Sequence, residues 1–135
     1  MKLRSFCAIQ AIISLAAGLI VYLLFRSDTI LHKSAAFQYA PFADCRFFGD
    51  GLIRYYLPDA AWSYSFCAGL CAVHLPKGIG IIVCVSGSVL FGVLWETAQM
   101  TPQVPGTADI LDIAAYLLGA VLFGLIFRRR RGINK

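Results

Sequence analysis

The side chains best suited to chemistry lie in the last third of the chain, where carboxyl groups recur at helical spacing. Glu96 and Gln99 are three residues apart, and Asp109, Asp112 and Tyr116 follow at steps of three and four. Residues three or four apart share one face of an α-helix. The spacing therefore predicts two polar helix faces with carboxylates at one end, suited to a cationic or hydrogen-bonding ligand.

Carboxylates that converge repel one another, so the sequence predicts one of three states for them. A proton is retained, a cation is bound, or arginines neutralise the charge. The nearest candidate charge partners in the sequence are Arg46 and Arg54. Oxygen ligands would also accept a divalent cation, although they do not single out one metal.

Each of these acidic residues also has a purely structural interpretation. Asp109 could cap the N-terminus of a helix, with Asp112 in its first turn, because the helix dipole stabilises negative charge there. Asp59 could cap an earlier helix in the same way. Glu96, at the C-terminal end of its helix, could simply be solvated at the membrane interface. The sequence leaves the functional and the structural interpretations open.

The chain contains no recognised catalytic motif. It has no Gly-rich phosphate loop, no HExxH and no GxSxG. The only histidine near the serines of the apolar stretches is His74, which is expected at the opposite membrane face from the carboxylates. The sequence therefore predicts no reaction, and whether the chain is an enzyme is left open.

Four apolar stretches must position these side chains. The 135 residues are 59% hydrophobic, with a mean hydropathy of +0.74, whereas soluble domains are about 45–50% apolar. A helix needs about 20 apolar residues to cross a bilayer. We predict an all-α fold over residues 1–135, a single transmembrane domain with four spans and a partly ordered outer loop between helices 1 and 2. The spans are expected at 5–25, 60–75, 78–95 and 110–127, the first of them uncleaved.

The distribution of charge predicts the orientation of these spans. The net charge is +5, and the run Arg128–Arg131 with Lys135 supplies that excess. Cytoplasmic segments of membrane proteins are rich in Lys and Arg, so both termini and the basic tail 128–135 are expected in the cytoplasm. A basic run after an apolar span is most simply an anchor to anionic lipid. No nucleic-acid partner is expected.

Small and polar residues form stripes on three of the expected helices. The stripes are expected to face each other, because small residues let membrane helices approach closely. The first stripe is Asp59, Ser63, Cys67, Cys71 and His74, the second is Ser88, Gly92, Glu96 and Gln99, and the third is Asp109, Asp112, Tyr116 and Gly119.

The outer loop is rich in aromatic residues and is expected to fold back onto the membrane surface, with a short interfacial helix at Gly51–Leu57. Cysteines within the spans are expected as small buried residues, and Cys45 in the loop has no evident partner.

The segment from Glu96 to Gly119 resembles the VanZ-like family of small bacterial membrane proteins. That family has a Glu-x-x-Gln, matched by Glu96 and Gln99, and an Asp-x-x-Asp, matched by Asp109 and Asp112, before a glycine matched by Gly119. This chain has Thr107 where the family often has Arg, and Tyr116 where it has Asn. The resemblance implies a bacterial inner-membrane protein, and the founding member is linked to glycopeptide resistance.

These observations lead to three functional hypotheses. The first is a non-enzymatic protein of the cell envelope, in which an outward-facing acidic pocket binds a polar or cationic ligand, a lipid headgroup or a cell-wall precursor. The second is an enzyme acting on a lipid-linked substrate at the outer leaflet. The third is a small assembly subunit of an envelope complex. The lipid bilayer is the expected partner in each, and the sequence leaves the ligand and the oligomeric state open.

Overall fold

The computed structural model describes residues 2–26, 40–46, 49–77, 79–104 and 107–133. These residues form four α-helices, which confirms the all-α prediction: α1 is Leu3–Phe25, α2 is Leu57–His74, α3 is Gly80–Gln99 and α4 is Ile110–Ile133. A π-helical turn, Leu52–Tyr56, leads directly into α2.

Within the described chain, three helices are long and apolar enough to cross a membrane. They are α1, α3 and the part of α4 from Ile110 to Gly132, with hydropathies of 2.3, 1.8 and 2.3. The chain is therefore a membrane protein by composition. Helix α2 is not among them; besides Asp59 and His74 it carries several hydroxyl groups. Those groups bond to neighbouring helices: Ser65 Oγ donates to the Ala11 carbonyl at 2.8 Å, and the Tyr64 hydroxyl to Gln10 Oε1 at 2.6 Å.

Helix α2 runs antiparallel to α1 and α3 and parallel to α4, which gives the bundle two chemically distinct ends. The end of the bundle where α2 ends is called the basic end. There Arg4 Nη2 lies 3.5 Å from the Val73 carbonyl oxygen, and Arg131 Nη1 lies 2.6 Å from the Pro76 carbonyl oxygen. We call the acidic end the one where α2 begins. Every described carboxylate side chain belongs to the acidic end of the bundle or to the segment 40–50 beside it.

The centre of the bundle is occupied by α2, which packs against the other three helices. Cys67, Ala68 and Cys71 are fully buried in the core, together with residues of the neighbouring helices: Cys7, Ile81, Cys84, Ala120, Phe123 and Phe127. The prediction that cysteines within the spans are small buried residues is confirmed. Because so many core residues are small, the helix backbones approach closely.

Two sequence expectations about helix boundaries are wrong. The segment Gly51–Leu57 is not a separate interfacial helix, because it is continuous with α2 through the π-helical turn. Asp59 is therefore not a cap but lies in the first turn of α2. Pro58 explains the turn: proline has no N–H to donate, and a wider turn before it lets the helix continue. Helix α4 also continues to Ile133, through the basic run.

The described part of the outer loop contacts the end of α1. The backbone N–H of Phe42 donates to the Leu24 carbonyl at 3.0 Å, and the rings of Phe25 and Phe42 lie 5.5 Å apart. Four of the loop aromatics, and Lys135 of the tail, lie outside the described residues: Phe37, Tyr39, Phe47 and Phe48. The ordered segment 40–46 therefore covers the acidic end next to α1.

Candidate functional site

Asp109 fixes the start of α4 and faces the rest of the acidic end. Its Oδ1 accepts a hydrogen bond from the Leu111 backbone N–H at 2.9 Å, and the Asp112 N–H lies 3.2 Å from its carbonyl oxygen. This is the N-cap geometry that stabilises the first turn of a helix. The capping role of Asp109 is confirmed, and it places Asp112 three residues further along on the same helix.

Glu96, near the C-terminal end of α3, is only 2% exposed. Its Oε2 accepts a hydrogen bond from the Asp109 backbone N–H at 3.1 Å, so that it joins α3 to the start of α4. Its Oε1 lies 3.3 Å from the Tyr116 hydroxyl. The simpler expectation of a solvated interfacial glutamate is therefore wrong, because a buried carboxylate needs such partners.

The Tyr116 hydroxyl connects two carboxyl groups that belong to different helices. It lies 3.3 Å from Glu96 Oε1 and 3.3 Å from Oδ1 of Asp59, on α2. The ring reaches this position because α3 has Gly92 there, where a Cβ would overlap the ring. A phenol carries a single proton, so the hydroxyl can donate to only one of the two carboxyl oxygens at a time.

Asp112 and Tyr56 complete the arrangement. Asp112 lies beside Asp59, close enough for a hydrogen bond between the two carboxyl groups. The Tyr56 hydroxyl donates to Asp109 Oδ2 at 3.3 Å. Loss of hydration and the negative charge of Asp109 raise the pKa of Tyr56 above its ordinary value, so this phenol remains a donor. We call these six residues the acidic cluster: Tyr56, Asp59, Glu96, Asp109, Asp112 and Tyr116.

The two arginines suggested by the sequence as charge partners lie elsewhere. Arg54 is 5% exposed and donates to three backbone carbonyls, those of Phe25, Ala43 and Cys45. Its remaining ionic contact is Asp50, 3.8 Å away, and Arg46 lies 3.5 Å from the same carboxylate. Arg54 holds the segment 40–46 in place through the Ala43 and Cys45 carbonyls. Neither arginine forms an ion pair with the acidic cluster among the described residues.

Arg26, immediately after α1, is the cation whose charge reaches the cluster. It attracts both Asp59 and Asp112 electrostatically. Its guanidinium lies over two aromatic rings, 5.2 Å from the centre of the Tyr22 ring and 5.4 Å from that of Tyr55. Among the described residues one arginine therefore acts on several carboxyl groups, so that negative charge is in excess there when they are ionised.

The structure brings together four of the five residues proposed as ligand contacts. Glu96, Asp109, Asp112 and Tyr116 meet at the acidic end, whereas no hydrogen bond joins Gln99 to them within the described residues. For a metal ion, the described residues offer no group of three or more His, Cys, Asp or Glu side chains that could hold one.

Three residues of the site were not proposed as ligand contacts or charge partners from the sequence. Asp59 belonged to a predicted polar stripe, but its interpretation as a helix cap hid its role. Tyr56 and Arg26 have no helical spacing relation to the motif, because each lies beyond the end of an apolar stretch. A search for basic residues at the same predicted membrane face as the carboxylates could have identified Arg26, which directly follows the first apolar stretch.

Comparison with known proteins adds no assignment. The chain matches no protein-family model, and no curated protein or solved structure is similar to it.

Proposed function

We propose that this chain is a multi-pass protein of the bacterial inner membrane, whose acidic cluster binds an amine-bearing ligand at the outer surface without catalysing a reaction. The ligand is the ammonium headgroup of a lipid or the amino group of a cell-wall precursor. Helix α2 is a fourth span in this proposal, and both termini lie in the cytoplasm.

The separation of charge along the bundle supports this orientation. The basic end carries Lys2, Arg4, Lys77 and the run Arg128–Arg131, while the described carboxylates lie at or beside the acidic end. Lys and Arg accumulate on the cytoplasmic side of membrane proteins. Helix α2 has 18 residues, about 27 Å at 1.5 Å per residue, and the π-helical turn extends it towards the acidic end. Its hydroxyl groups are satisfied within the bundle, which permits a central span.

The observation that carries the binding proposal is a shortage of hydrogen-bond donors in the acidic cluster. Four carboxyl groups meet there, and each has two oxygens that accept hydrogen bonds. Within the described residues four donors serve them, the hydroxyls of Tyr56 and Tyr116 and the backbone N–H groups of Asp109 and Leu111. One further hydrogen bond joins Asp59 to Asp112, so fewer donors than carboxyl oxygens remain. An ammonium group has three N–H donors and a positive charge, so it would supply hydrogen bonds to the carboxyl oxygens and also offset their negative charge.

The exposure of the side chains suggests separate roles for them. Asp59, Asp109 and Asp112 are partly exposed, so they can contact a ligand that arrives from the membrane surface. Glu96 and Tyr116 are buried behind them. In the proposed complex the aspartates contact the amine, and the buried pair holds Asp59 and the start of α4 in position.

A VanZ-like role is part of the proposal and is supported by the same residues. Glu96, Asp109 and Asp112 are motif positions of that resemblance, and all three belong to the acidic cluster. Binding of a cell-wall precursor through its amino group would link the cluster to glycopeptide susceptibility. Cells that produce the Asp112→Asn protein at the normal level should then lose any change in susceptibility that the wild-type protein confers.

The direct test compares two lipids whose headgroups differ by the replacement of three N–H groups with three N-methyl groups. Phosphatidylethanolamine and phosphatidylcholine have the same net charge, but only the first has N–H groups. We expect the purified protein to bind phosphatidylethanolamine at least about tenfold more tightly, equivalent to about 1.4 kcal/mol, as measured by native mass spectrometry. A soluble amino-terminal cell-wall peptide, assayed in parallel, tests the other source of the amine.

The matched variants are Asp112→Asn, within the cluster, and Asp44→Asn, an exposed carboxylate of the outer loop with no described contact to the cluster. Asp112→Asn should abolish the preference for the amine, whereas Asp44→Asn should retain it. Equal binding of both lipids and no binding of the peptide would contradict the proposal.

A further inference from the structure

An apolar groove runs along the surface between α3 and α4, close to the basic end. Three residues of α3 and three of α4 line it: Ile81, Ile82, Val85, Val121, Gly124 and Leu125. At Gly124 the two helices pack closely beneath the groove, because a Cβ at this position would lie 3.0 Å from Val85 Cγ2. Both helices are apolar enough to span a membrane, so the groove opens onto the region occupied by lipid chains.

The groove ends at Arg128, the only charged side chain that lines it among the described residues. Arg128 is exposed and forms no hydrogen bond or ion pair with the described part of the chain. Neighbouring arginines are engaged: Arg131 donates to the Pro76 carbonyl at 2.6 Å, and Arg130 lies 5.6 Å from the centre of the Phe6 ring. Arg128 is therefore free to bind an anion at the mouth of the groove.

We infer that this groove binds one acyl chain of an anionic phospholipid, with Arg128 bound to the lipid phosphate. The acyl chain fits because the residues that line the groove are apolar. The phosphate fits because Arg128 lies where a membrane helix leaves the hydrocarbon and enters the headgroup region. A second copy of the chain is a poor occupant, because its own basic end would bring arginines and lysines against Arg128. The site lies at the opposite end from the acidic cluster and does not depend on the function proposed for it.

The experiment uses the full chain, purified in a mild detergent and incubated with phosphatidylglycerol or phosphatidylcholine of identical acyl chains. Native mass spectrometry should show one retained phosphatidylglycerol and at least about fivefold weaker retention of phosphatidylcholine, since one basic residue contributes about 1 kcal/mol. Equal retention of the two lipids would overturn the inference, because the groove would then lack headgroup recognition.

Two variants and one control separate the groove from general attraction to the basic end. Arg128→Gln should weaken retention of phosphatidylglycerol about fivefold, whereas Arg129→Gln, which removes the same charge outside the groove, should change it less than about twofold. Val121→Phe places a ring in the groove and should abolish retention while Arg128 is intact. Equal effects of the two arginine variants would contradict a specific site, and so would full retention by Val121→Phe. Unchanged helical circular dichroism and elution volume verify that each variant is folded.

Discussion

The hydroxyl of Tyr116 lies 3.3 Å from Oε1 of Glu96, and this contact joins α4 to α3 where both helices reach the acidic end. The same hydroxyl lies 3.3 Å from Asp59 Oδ1 on α2. One side chain thus links three helices through carboxyl groups. Because Glu96 is buried, this link stabilises the fold as well as shaping the proposed binding site.

Replacing Tyr116 by Phe should destabilise the bundle, because it removes the hydroxyl and leaves carboxyl oxygens without their donor. We expect a loss of about 1–3 kcal/mol in the free energy of unfolding, measured by detergent titration with circular dichroism. Tyr55→Phe is the matched control, since Tyr55 is 46% exposed, its hydroxyl has no hydrogen bond within the described structure, and phenylalanine keeps the ring that Arg26 covers. A loss in the control as large as in Tyr116→Phe would show that the contact is unimportant.

Close packing of α4 on α2 gives a second prediction. A Cβ at Gly119 would overlap the backbone carbonyl of Ala60, which cannot move aside as a flexible side chain can. Gly119→Ala should therefore cost about 1–3 kcal/mol through overpacking. Gly69→Ala on α2 meets nothing within 4 Å and should be neutral or slightly stabilising, because alanine favours helix more than glycine does. Similar melting temperatures for both variants would refute this packing.

The predicted facing of the polar stripes is confirmed by direct contacts. Ser63 and Ser88 lie 3.0 Å apart through their hydroxyl oxygens, and Ser63 also donates to the Tyr116 carbonyl at 2.7 Å. Helical spacing sufficed for this prediction because all of these residues lie within regular helices. The spacing identifies a face, and small residues identify the face that a neighbouring helix can approach.

The arrangement of cations could not be predicted in the same way. Arg26 and Arg54 both belong to the region between the first two apolar stretches, and nothing in their neighbours says which one turns towards the carboxylates. In the structure Arg54 lies in the π-helical turn and donates to the carbonyls of the segment 40–46 and of Phe25, rather than to the carboxylates of the acidic cluster. Pro58 is visible in the sequence, but the π-helical turn that precedes it was not predicted from it.

Arg54 should control how firmly the segment 40–46 is held. Lysine keeps the charge but cannot reproduce the guanidinium fork that reaches three carbonyls. We therefore expect Arg54→Lys to speed proteolytic cleavage of this segment and to lower the free energy of unfolding by about 2–3 kcal/mol. Arg46→Lys is the control, since the Arg46 side chain is 75% exposed. Cleavage of both variants at the wild-type rate would contradict the account.

The proposed orientation can be tested with a native cysteine. Cys45 is exposed at the acidic end, whereas the other four cysteines are buried. A membrane-impermeant maleimide added to intact cells should therefore label the wild-type protein at one position, and Cys45→Ser should remove the label. Labelling that requires permeabilised cells would place the acidic end in the cytoplasm and reverse the topology.

The central claim is that the carboxyl groups of the acidic cluster contact the amine of a ligand, and solid-state NMR in bilayers tests it most directly. The protein would carry ¹³C at its aspartate carboxyl carbons, and the phosphatidylethanolamine would carry ¹⁵N in its headgroup. We predict dipolar contact between the two labels in the wild-type protein and in Asp44→Asn, and its loss in Asp112→Asn. No contact in the wild-type protein, with the lipid present in excess and with a soluble amino-terminal peptide also failing to bind, would contradict the claim.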